Sequence, residues 1–76
     1  MIVKTPDVVG GRARIDGTRM PVWLFQSCRN NGMTNEDIIE LYPNVSEDQL
    51  KEVFDYVGNN FDEIRADIED QREEKD

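Results

Sequence analysis

The sequence of 76 residues contains no histidine and only one cysteine. Cys28 has no second cysteine to pair with in an internal disulfide, and a Cys/His zinc site lacks its ligands. No histidine is present to act as a general base beside a nucleophile. We therefore expect a protein that is not an enzyme and that holds no metal or cofactor. The apolar neighbours of Cys28 favour a buried structural thiol over a reactive one.

The chain also lacks a long apolar segment. No window approaches the roughly 20 apolar residues that a membrane span requires. The first residues reach Pro6 and Asp7 before the apolar run of a secretory signal is complete. We therefore expect a soluble, cytoplasmic protein that has no membrane contact. A chain of this length forms one domain, and its small core gains stability from a partner.

Basic residues are few and unevenly placed in a chain of formal net charge −8. Residues 1–35 carry five basic and two acidic residues, a charge of +3, whereas residues 36–76 carry four basic and 15 acidic residues, a charge of −11. This asymmetry indicates that the two halves contact different partners. The alternative is that the acidic helices are simply solvated and keep the protein soluble.

The first 22 residues predict a β-hairpin arm. Asp16-Gly17 lies between two short runs, residues 12–15 and 18–21. An Asp-Gly pair in this position is a strong signal for a type I′ turn, which needs positive φ at both central residues. Gly10-Gly11 allows another sharp turn just before the first arm.

Three arginines accompany this predicted hairpin. Strand alternation places Arg12 and Arg14 on one face, opposite Ala13 and Ile15, with Arg19 across the turn. The sequence leaves three alternatives open for these side chains. They contact DNA phosphates, they pair with the acidic helices of a second subunit, or they are solvated charges that protect a strand edge from aggregation.

Two helices follow the hairpin. Residues 22–29 predict the first, with Leu24, Phe25 and Cys28 on one face and a stop at Gly32. The second is the segment "MTNEDIIELYP", in which Thr34 is the predicted N-cap and Asp37 completes a capping box. The residues of this helix that we expect to face inward are Ile38, Ile39, Leu41 and Tyr42.

A third helix is predicted to begin after Ser46, with Gln49 as its capping-box partner. Its apolar residues are spaced alternately by four and three positions, like a heptad seam, and they are Leu50, Phe54, Val57, Phe61, Ile64 and Ile68. The sequence Gly58-Asn59-Asn60 interrupts this seam, and Asn60 with Glu63 resembles a new cap. We therefore predict a break between two helices in preference to one kinked helix.

These elements predict a mainly α fold with three to four short helices, a helix-turn-helix-like core and an N-terminal β-hairpin. Residues 1–76 form a single domain, divided into the hairpin arm 1–22, the core 23–58 and the acidic C-terminal helix 59–76. The two helices of residues 34–42 and 47 onward have the proportions of a helix-turn-helix unit. The second of them begins with acidic residues, which repel DNA phosphates.

The strings "PDVVGGRARIDGTRMPVWLF" and "GMTNEDIIELYPNVSEDQLKEVFDYV" resemble the bacterial and archaeal domain-of-unknown-function family 433. The segments "GTRMPV" and "ELYP" are specific when they occur together. The positions that match the family motif, and that look mainly architectural, are Gly10, Gly11, Gly17, Thr18, Arg19, Pro21, Tyr42 and Pro43.

Members of this family look like VapB-type antitoxins. The resemblance implies a helix-turn-helix core and a protein that binds and silences a nuclease toxin of the PIN-like type. It also implies binding to the protein's own operator DNA, with or without the toxin. Our leading hypothesis is therefore an antitoxin of a type II toxin-antitoxin pair. The alternatives are a DNA-binding transcriptional regulator without a toxin and a small dimeric adaptor.

The acidic C-terminal segment supplies the candidate toxin contact. An amphipathic helix laid in a partner's groove uses apolar anchors at the spacing of Phe61, Ile64 and Ile68. The acidic residues that would steer it toward a basic cleft are Asp62, Asp67, Glu69 and Asp70. The alternative is that this apolar stripe closes a homodimer.

A homodimer is also expected from the number of large apolar residues. Those at the junction of hairpin and helix are Met20, Val22, Trp23 and Phe25. One small core is not expected to bury all of these together with Phe54, Phe61 and Ile68. A two-fold interface would bury the surplus, because each patch then meets its own copy.

Overall fold

A computed structural model describes the backbone of residues 1–73 and the side chains of residues 1–71. The elements in chain order are β1 (Ile2–Val3), a short turn (Val9–Gly11), β2 (Arg14–Ile15), α1 (Val22–Asn30), α2 (Asn35–Leu41), α3 (Glu47–Asn59) and α4 (Phe61–Glu73). This confirms the predicted mainly α fold with a short antiparallel strand pair near the N-terminus. The predicted C-terminal helix segment 59–76 ends in residues 74–76, which lie outside the described residues.

The sheet contains a strand pairing that the predicted hairpin did not include. β2 pairs with β1, with Ile2 opposite Ile15 and Val3 opposite Arg14. The predicted second arm, residues 18–21, also pairs with this segment, through a bridge between Arg14 and Pro21 and a bond from the Ile15 amide to the Met20 carbonyl oxygen at 3.1 Å. A proline has no N–H to extend a ladder, so the chain turns into α1 at this point. β2 therefore has the N-terminal strand on one side and the turn segment on the other.

The turn at Asp16-Gly17 is present, but it is not the predicted type I′. Gly17 has φ of 79°, whereas Asp16 does not adopt positive φ. The Thr18 amide donates to the Ile15 carbonyl oxygen at 3.1 Å. Positive φ at the second central residue alone is typical of a type II turn. The Thr18 hydroxyl donates to the same carbonyl oxygen at 2.8 Å, so it reinforces the turn.

One apolar core lies between the sheet and the helices. Its buried members are Ala13, Ile15, Val22, Phe25, Cys28, Ile38, Val45, Leu50, Val53, Val57 and Ile64. The alternation predicted for residues 12–15 is thus correct, since Ala13 and Ile15 face inward. In α1 the buried residues are Val22, Phe25 and Cys28, and Leu24 is only half-buried. The prediction that Leu41 faces inward is wrong, because its side chain is 56% exposed.

Both predicted capping boxes are present. In α2 the Asp37 amide donates to the Thr34 hydroxyl at 3.2 Å, and the Thr34 amide donates to the Asp37 carboxylate at 3.0 Å. In α3 the Gln49 amide donates to the Ser46 hydroxyl at 3.1 Å, and the Ser46 amide donates to the Gln49 side-chain oxygen at 2.9 Å. These reciprocal bonds satisfy amide groups that have no partner inside the helix.

We expect Ser46→Ala to lower the free energy of unfolding by about 1 kcal/mol, because the Gln49 amide then loses its acceptor. Urea denaturation followed by circular dichroism measures this change. Ser46→Asp is the matched control, since aspartate keeps the acceptor and should restore most of the stability. Equal losses in the two variants would show that the hydroxyl does not cap α3.

The predicted break between α3 and α4 is confirmed. Asn60 lies between the two helices with φ of −141°. Asn60 directly precedes α4, as predicted, but no hydrogen bond among residues 1–71 forms the predicted capping box with Glu63. The Asn60 side-chain amide donates instead to the Tyr56 carbonyl oxygen at 3.0 Å, at the end of α3. The Glu63 carboxylate accepts a hydrogen bond from the Tyr56 hydroxyl at 3.0 Å.

Candidate protein-binding groove

The arginine predicted to start the hairpin, Arg12, is bound within its own chain. Its guanidinium pairs with the Asp67 carboxylate at 3.4 Å and also contacts the Asp70 carboxylate, both on α4. The Arg12 side chain is only 20% exposed. None of the three roles predicted for it includes this intramolecular ion pair, which joins the N-terminal segment to the last helix.

Arg14 and Arg19 lie in different environments. The Arg14 guanidinium donates to the Thr18 carbonyl oxygen and to the Thr5 hydroxyl, each at 2.9 Å, so it braces the turn from inside. Arg19 is exposed, and no carboxylate among residues 1–71 lies within ion-pair distance of it. The structure therefore does not bring the three guanidinium groups together as one basic patch with free side chains.

The glycine at position 10 leaves room for the Arg12 side chain. Gly10 has φ of 69°, and a Cβ atom built there would lie 2.6 Å from Arg12 Nη1. Because two carboxylates hold that guanidinium, it cannot swing away freely. A side chain at position 10 would therefore have to displace this guanidinium.

Other motif residues also support the fold. Pro21 is buried and precedes α1 directly. The Tyr42 ring packs edge-on against Phe25, with 5.9 Å between the ring centres. Pro43 follows Tyr42, at which α2 ends. Gly11, like Gly10 and Gly17, has positive φ, which an L side chain rarely adopts.

A second polar contact joins the N-terminal segment to α4. The Lys4 ammonium group lies 3.0 Å from the Glu63 carboxylate, which also accepts from the Tyr56 hydroxyl. Hydrogen bonding to Glu63 raises the pKa of Lys4. The pKa of Tyr56 is also raised, mainly by burial and next by its hydrogen bond to the same carboxylate. Both groups therefore keep their protons near neutral pH. Glu63 thus joins α4 to the N-terminal segment through Lys4 and to α3 through Tyr56.

The carboxylate of Asp67 is 17% exposed beside Arg12. Burial raises the pKa of Asp67, and the Arg12 charge opposes that shift without cancelling it. The native state therefore binds this proton more tightly than the unfolded chain does. By linkage, the contribution of Asp67 to the free energy of unfolding falls as pH rises above about 4, the ordinary range of an aspartate.

We expect Asp67→Asn to remove this loss of stability. Relative to the variant, the wild-type protein should become less stable as pH is raised from the acid range toward neutrality. Urea denaturation of both proteins at a series of pH values measures the difference. Asp55→Asn, at an exposed position, is the matched control. The stability difference between the wild-type protein and this control should vary little with pH. A wild-type protein that gains stability over Asp67→Asn as pH rises would mean that the Arg12 ion pair outweighs burial.

The apolar stripe predicted on the C-terminal helix divides between the core and the surface. Ile64 is 1% exposed and belongs to the core, and Ile68 is half-buried against it. Phe61 is 54% exposed. Only part of the predicted toxin-contacting stripe is thus available to another molecule while α4 remains packed on α1.

A groove between α1 and α4 includes this exposed phenylalanine in its lining. It has a volume of about 240 Å³, and its lining residues are Gln26, Asn30, Phe61, Ile64, Arg65, Ile68 and Glu69. The Gln26 side-chain amide donates to the Asn30 side-chain oxygen at 2.8 Å on the α1 wall. On the α4 wall, Arg65 pairs with Glu69 at 3.5 Å. We call this feature the α1–α4 groove.

The groove has the composition of a site for an apolar side chain. Phe61, Ile64 and Ile68 form its apolar surface, and paired polar groups lie along its walls. The Asn30 side-chain nitrogen and the Gln26 side-chain oxygen are not used in the bond between these two residues, so each is open to a further hydrogen bond. An apolar floor with a few polar groups is typical of sites that bind another molecule.

The predicted acidic residues of α4 separate into two groups. Asp67 and Asp70 face the N-terminal segment through Arg12. Asp62 is exposed near the start of α4, and the exposed Glu69 lies on the groove wall. Asp62 and Glu69 are therefore the two predicted acidic contacts that are not paired with Arg12.

Sequence reasoning did not identify the α1 wall of the groove. Gln26 and Asn30 lie four positions apart in α1, so they share one side of that helix, which differs from the buried side formed by Val22, Phe25 and Cys28. This spacing was available in the sequence. What the sequence does not contain is the information that α4, far along the chain, packs beside them.

The described residues show no cluster typical of a metal centre and no helix suited to a bilayer. Within this part of the chain, no three His, Cys, Asp or Glu side chains come together as metal ligands would. None of the helices described has the combined length and apolar character that crossing a membrane requires.

The fold and its motif residues define a family. The family model described as "Protein of unknown function (DUF433)" matches residues 2–57, which is more than half of the chain, so this protein belongs to that family. The match covers β1 to α3 and stops before α4. No curated protein matches the chain.

A solved structure is similar over most of the chain. It is the crystal structure of a DUF433 member protein from Anabaena variabilis ATCC 29413, with a TM-score of 0.84 and 34% sequence identity. The similarity covers 88% of this chain and 66% of that chain. The chain thus spans slightly less than two thirds of that protein's length.

Proposed function

We propose that this protein is the antitoxin of a type II toxin-antitoxin pair, which binds and neutralises a PIN-like nuclease through the α1–α4 groove. The observation that carries the proposal is Phe61, a large aromatic side chain that is 54% exposed and lines that groove. Aromatic residues are enriched among those that dominate binding energy at protein interfaces.

The charge of the exposed surface favours a basic protein partner. Residues 36–76 carry a net charge of −11, and Asp62 and Glu69 are exposed on α4 itself. A nuclease that grips RNA needs a basic cleft, so complementary potentials would speed its encounter with this surface. The predicted partner contact therefore combines Phe61 and Ile68 as apolar groups with Asp62 and Glu69 as charges.

DNA binding by the isolated protein has weaker support. Arg12 and Arg14 are already engaged within the chain, which leaves Arg19 as the exposed member of the three. The α3 helix, which would be the recognition helix of a helix-turn-helix unit, begins with Glu47 and Asp48. Both features work against phosphate contact. Operator binding would therefore need cations from the toxin in the complex.

The predicted homodimer stays a prediction. Trp23 and Met20 are half-buried against the core. Phe61 is the most exposed large apolar side chain in the described part of α4. Sedimentation at micromolar concentration tests it, and an unfolding midpoint that rises with protein concentration would agree with a dimer. A monomer with a constant midpoint would contradict it.

The proposal predicts that a nuclease of the PIN-like class is encoded beside this protein, and it is tested with that nuclease. We expect the two purified proteins to form a stable complex and RNA cleavage to stop at equimolar antitoxin. A gel shift with upstream DNA, done in parallel at two salt concentrations, tests the regulator alternative. Unchanged cleavage together with salt-sensitive DNA binding by this protein alone would replace the antitoxin proposal with the regulator.

A further inference from the structure

A second exposed apolar area lies on α2, away from the residues that line the α1–α4 groove. Leu41 is 56% exposed at the end of this helix. It lines a shallow depression of about 320 Å³ together with Met33, Asp37 and Glu40. The depression therefore has two apolar side chains and two carboxylates, and no basic side chain lines it.

More carboxylates continue from this depression through Met33. The adjoining depression shares Met33 and is also lined by Glu36 and Glu47, which begin the first turns of α2 and α3. Among the side chains of residues 1–71, no Lys or Arg forms an ion pair with the carboxylates of Glu36, Asp37, Glu40 or Glu47. The Thr34 amide donates to the Asp37 carboxylate, and solvent compensates the other three charges within that part of the chain.

The one basic side chain that lines the adjoining depression is held elsewhere. The Arg29 guanidinium lies over the Phe54 ring, 3.9 Å from its centre, and it also donates to the Asn35 side-chain oxygen. A cation stacked on an aromatic ring and bonded to an amide is not free to neutralise the carboxylates around Met33. The surface therefore keeps an apolar centre with an acidic rim.

We infer that this area, the α2 surface formed by Met33, Asp37, Glu40 and Leu41, docks a basic protein segment that carries an apolar side chain. The apolar side chain fits between Met33 and Leu41, and flanking Lys or Arg residues meet Asp37, Glu40 and Glu36. The same acidic rim repels nucleic acid and anionic lipid, because both carry negative charge. This surface shares no lining residue with the groove proposed for the nuclease, so it is a separate docking site.

A short amphipathic peptide of leucine and lysine is the probe for this site. Titrated into the ¹⁵N-labelled full chain, it should shift the amide resonances of Met33 and residues 35–41 more than those of α4. A matched peptide of leucine and glutamate should cause no such shifts. Raising the salt concentration should weaken binding of the lysine peptide, since salt screens the attraction between exposed charges.

Three variants separate a specific site from general attraction to an acidic protein. We expect Leu41→Ser and Glu40→Lys each to lower the binding affinity of the lysine peptide about tenfold. Asp55→Lys makes the same charge change as Glu40→Lys at an exposed position of α3 outside the site, and should weaken it less than twofold. All three positions are exposed, so the fold should persist.

Two results would overturn the inference. One is an equal loss of affinity in Glu40→Lys and Asp55→Lys, which would mean that only overall charge attracts the peptide. The other is a set of resonance shifts centred on Phe61 and the α1–α4 groove, with residues 35–41 unchanged. Either result leaves the antitoxin proposal intact, because that proposal concerns a different surface.

Discussion

Replacement of Ile64 by alanine should lower the free energy of unfolding by about 2–5 kcal/mol, the usual range for a buried isoleucine reduced to alanine. Ile64 is 1% exposed in α4 and packs into the common core with residues from the other helices. A single core in a chain of fewer than about 80 residues rarely supplies more than about 3–5 kcal/mol, so the variant approaches the point of unfolding.

Phe61→Ala is the matched control for this substitution. It removes a larger side chain from the same helix, but that side chain is 54% exposed, so we expect a loss of only about 1 kcal/mol. Thermal or urea denaturation of the two variants measures both values. If Phe61→Ala proved the more damaging of the two, α4 would be packed differently from the arrangement described.

The same contacts make removal of α4 an unsuitable test of partner binding. A chain ending at Gly58 would lose Ile64 from the core. It would also leave Lys4 and Arg12 without Glu63 and Asp67. Loss of binding by such a truncated chain would reflect a damaged fold. Substitutions at exposed groove positions keep the fold and therefore test the interface itself.

Replacement of Phe61 by serine should weaken the complex with the nuclease by about 30-fold or more, which corresponds to a loss of about 2 kcal/mol or more of binding free energy. The physical reason is that a half-exposed aromatic side chain becomes fully covered on binding, and serine offers no comparable apolar area. Isothermal titration with purified nuclease measures the affinity.

Ala66→Ser is the control for the binding measurement. Ala66 is exposed on α4 and does not line the groove, so its variant should bind within twofold of the wild-type protein. A Phe61→Ser protein that is folded and binds as tightly as Ala66→Ser would place the nuclease on another surface.

Local features of the fold were predictable from the sequence. Thr34 with Asp37, and Ser46 with Gln49, satisfy backbone amides within one helical turn, so the residues that make the capping boxes are close in the chain. The break at Asn60 was predictable from the local sequence Gly58-Asn59-Asn60, although the predicted capping box with Glu63 is not formed.

Long-range contacts were not predictable from the sequence. Arg12 and Asp70 are separated by 58 positions, and nothing in the local pattern of either residue identifies the other as its partner. The pairing of β1 with β2 was missed for a similar reason. Asp16-Gly17 identifies a turn, but it does not reveal that Ile2–Val3 pairs with β2.

The candidate site was predictable only in part. The spacing of Phe61, Ile64 and Ile68 identified one wall of the groove, but it did not distinguish the core residue Ile64 from the exposed Phe61. That distinction depends on how α4 packs against α1, because this packing determines how deeply each side chain of α4 is buried. The wall formed by Gln26 and Asn30 needs the same information.

Amide hydrogen exchange of this protein, alone and with the nuclease, tests the central claim that the partner occupies the α1–α4 groove. We predict added protection at residues 26–30 of α1 and 61–69 of α4, with the turn around Arg19 unchanged. Protection at residues 12–19 alone, with both groove walls exchanging as in the free protein, would contradict the account.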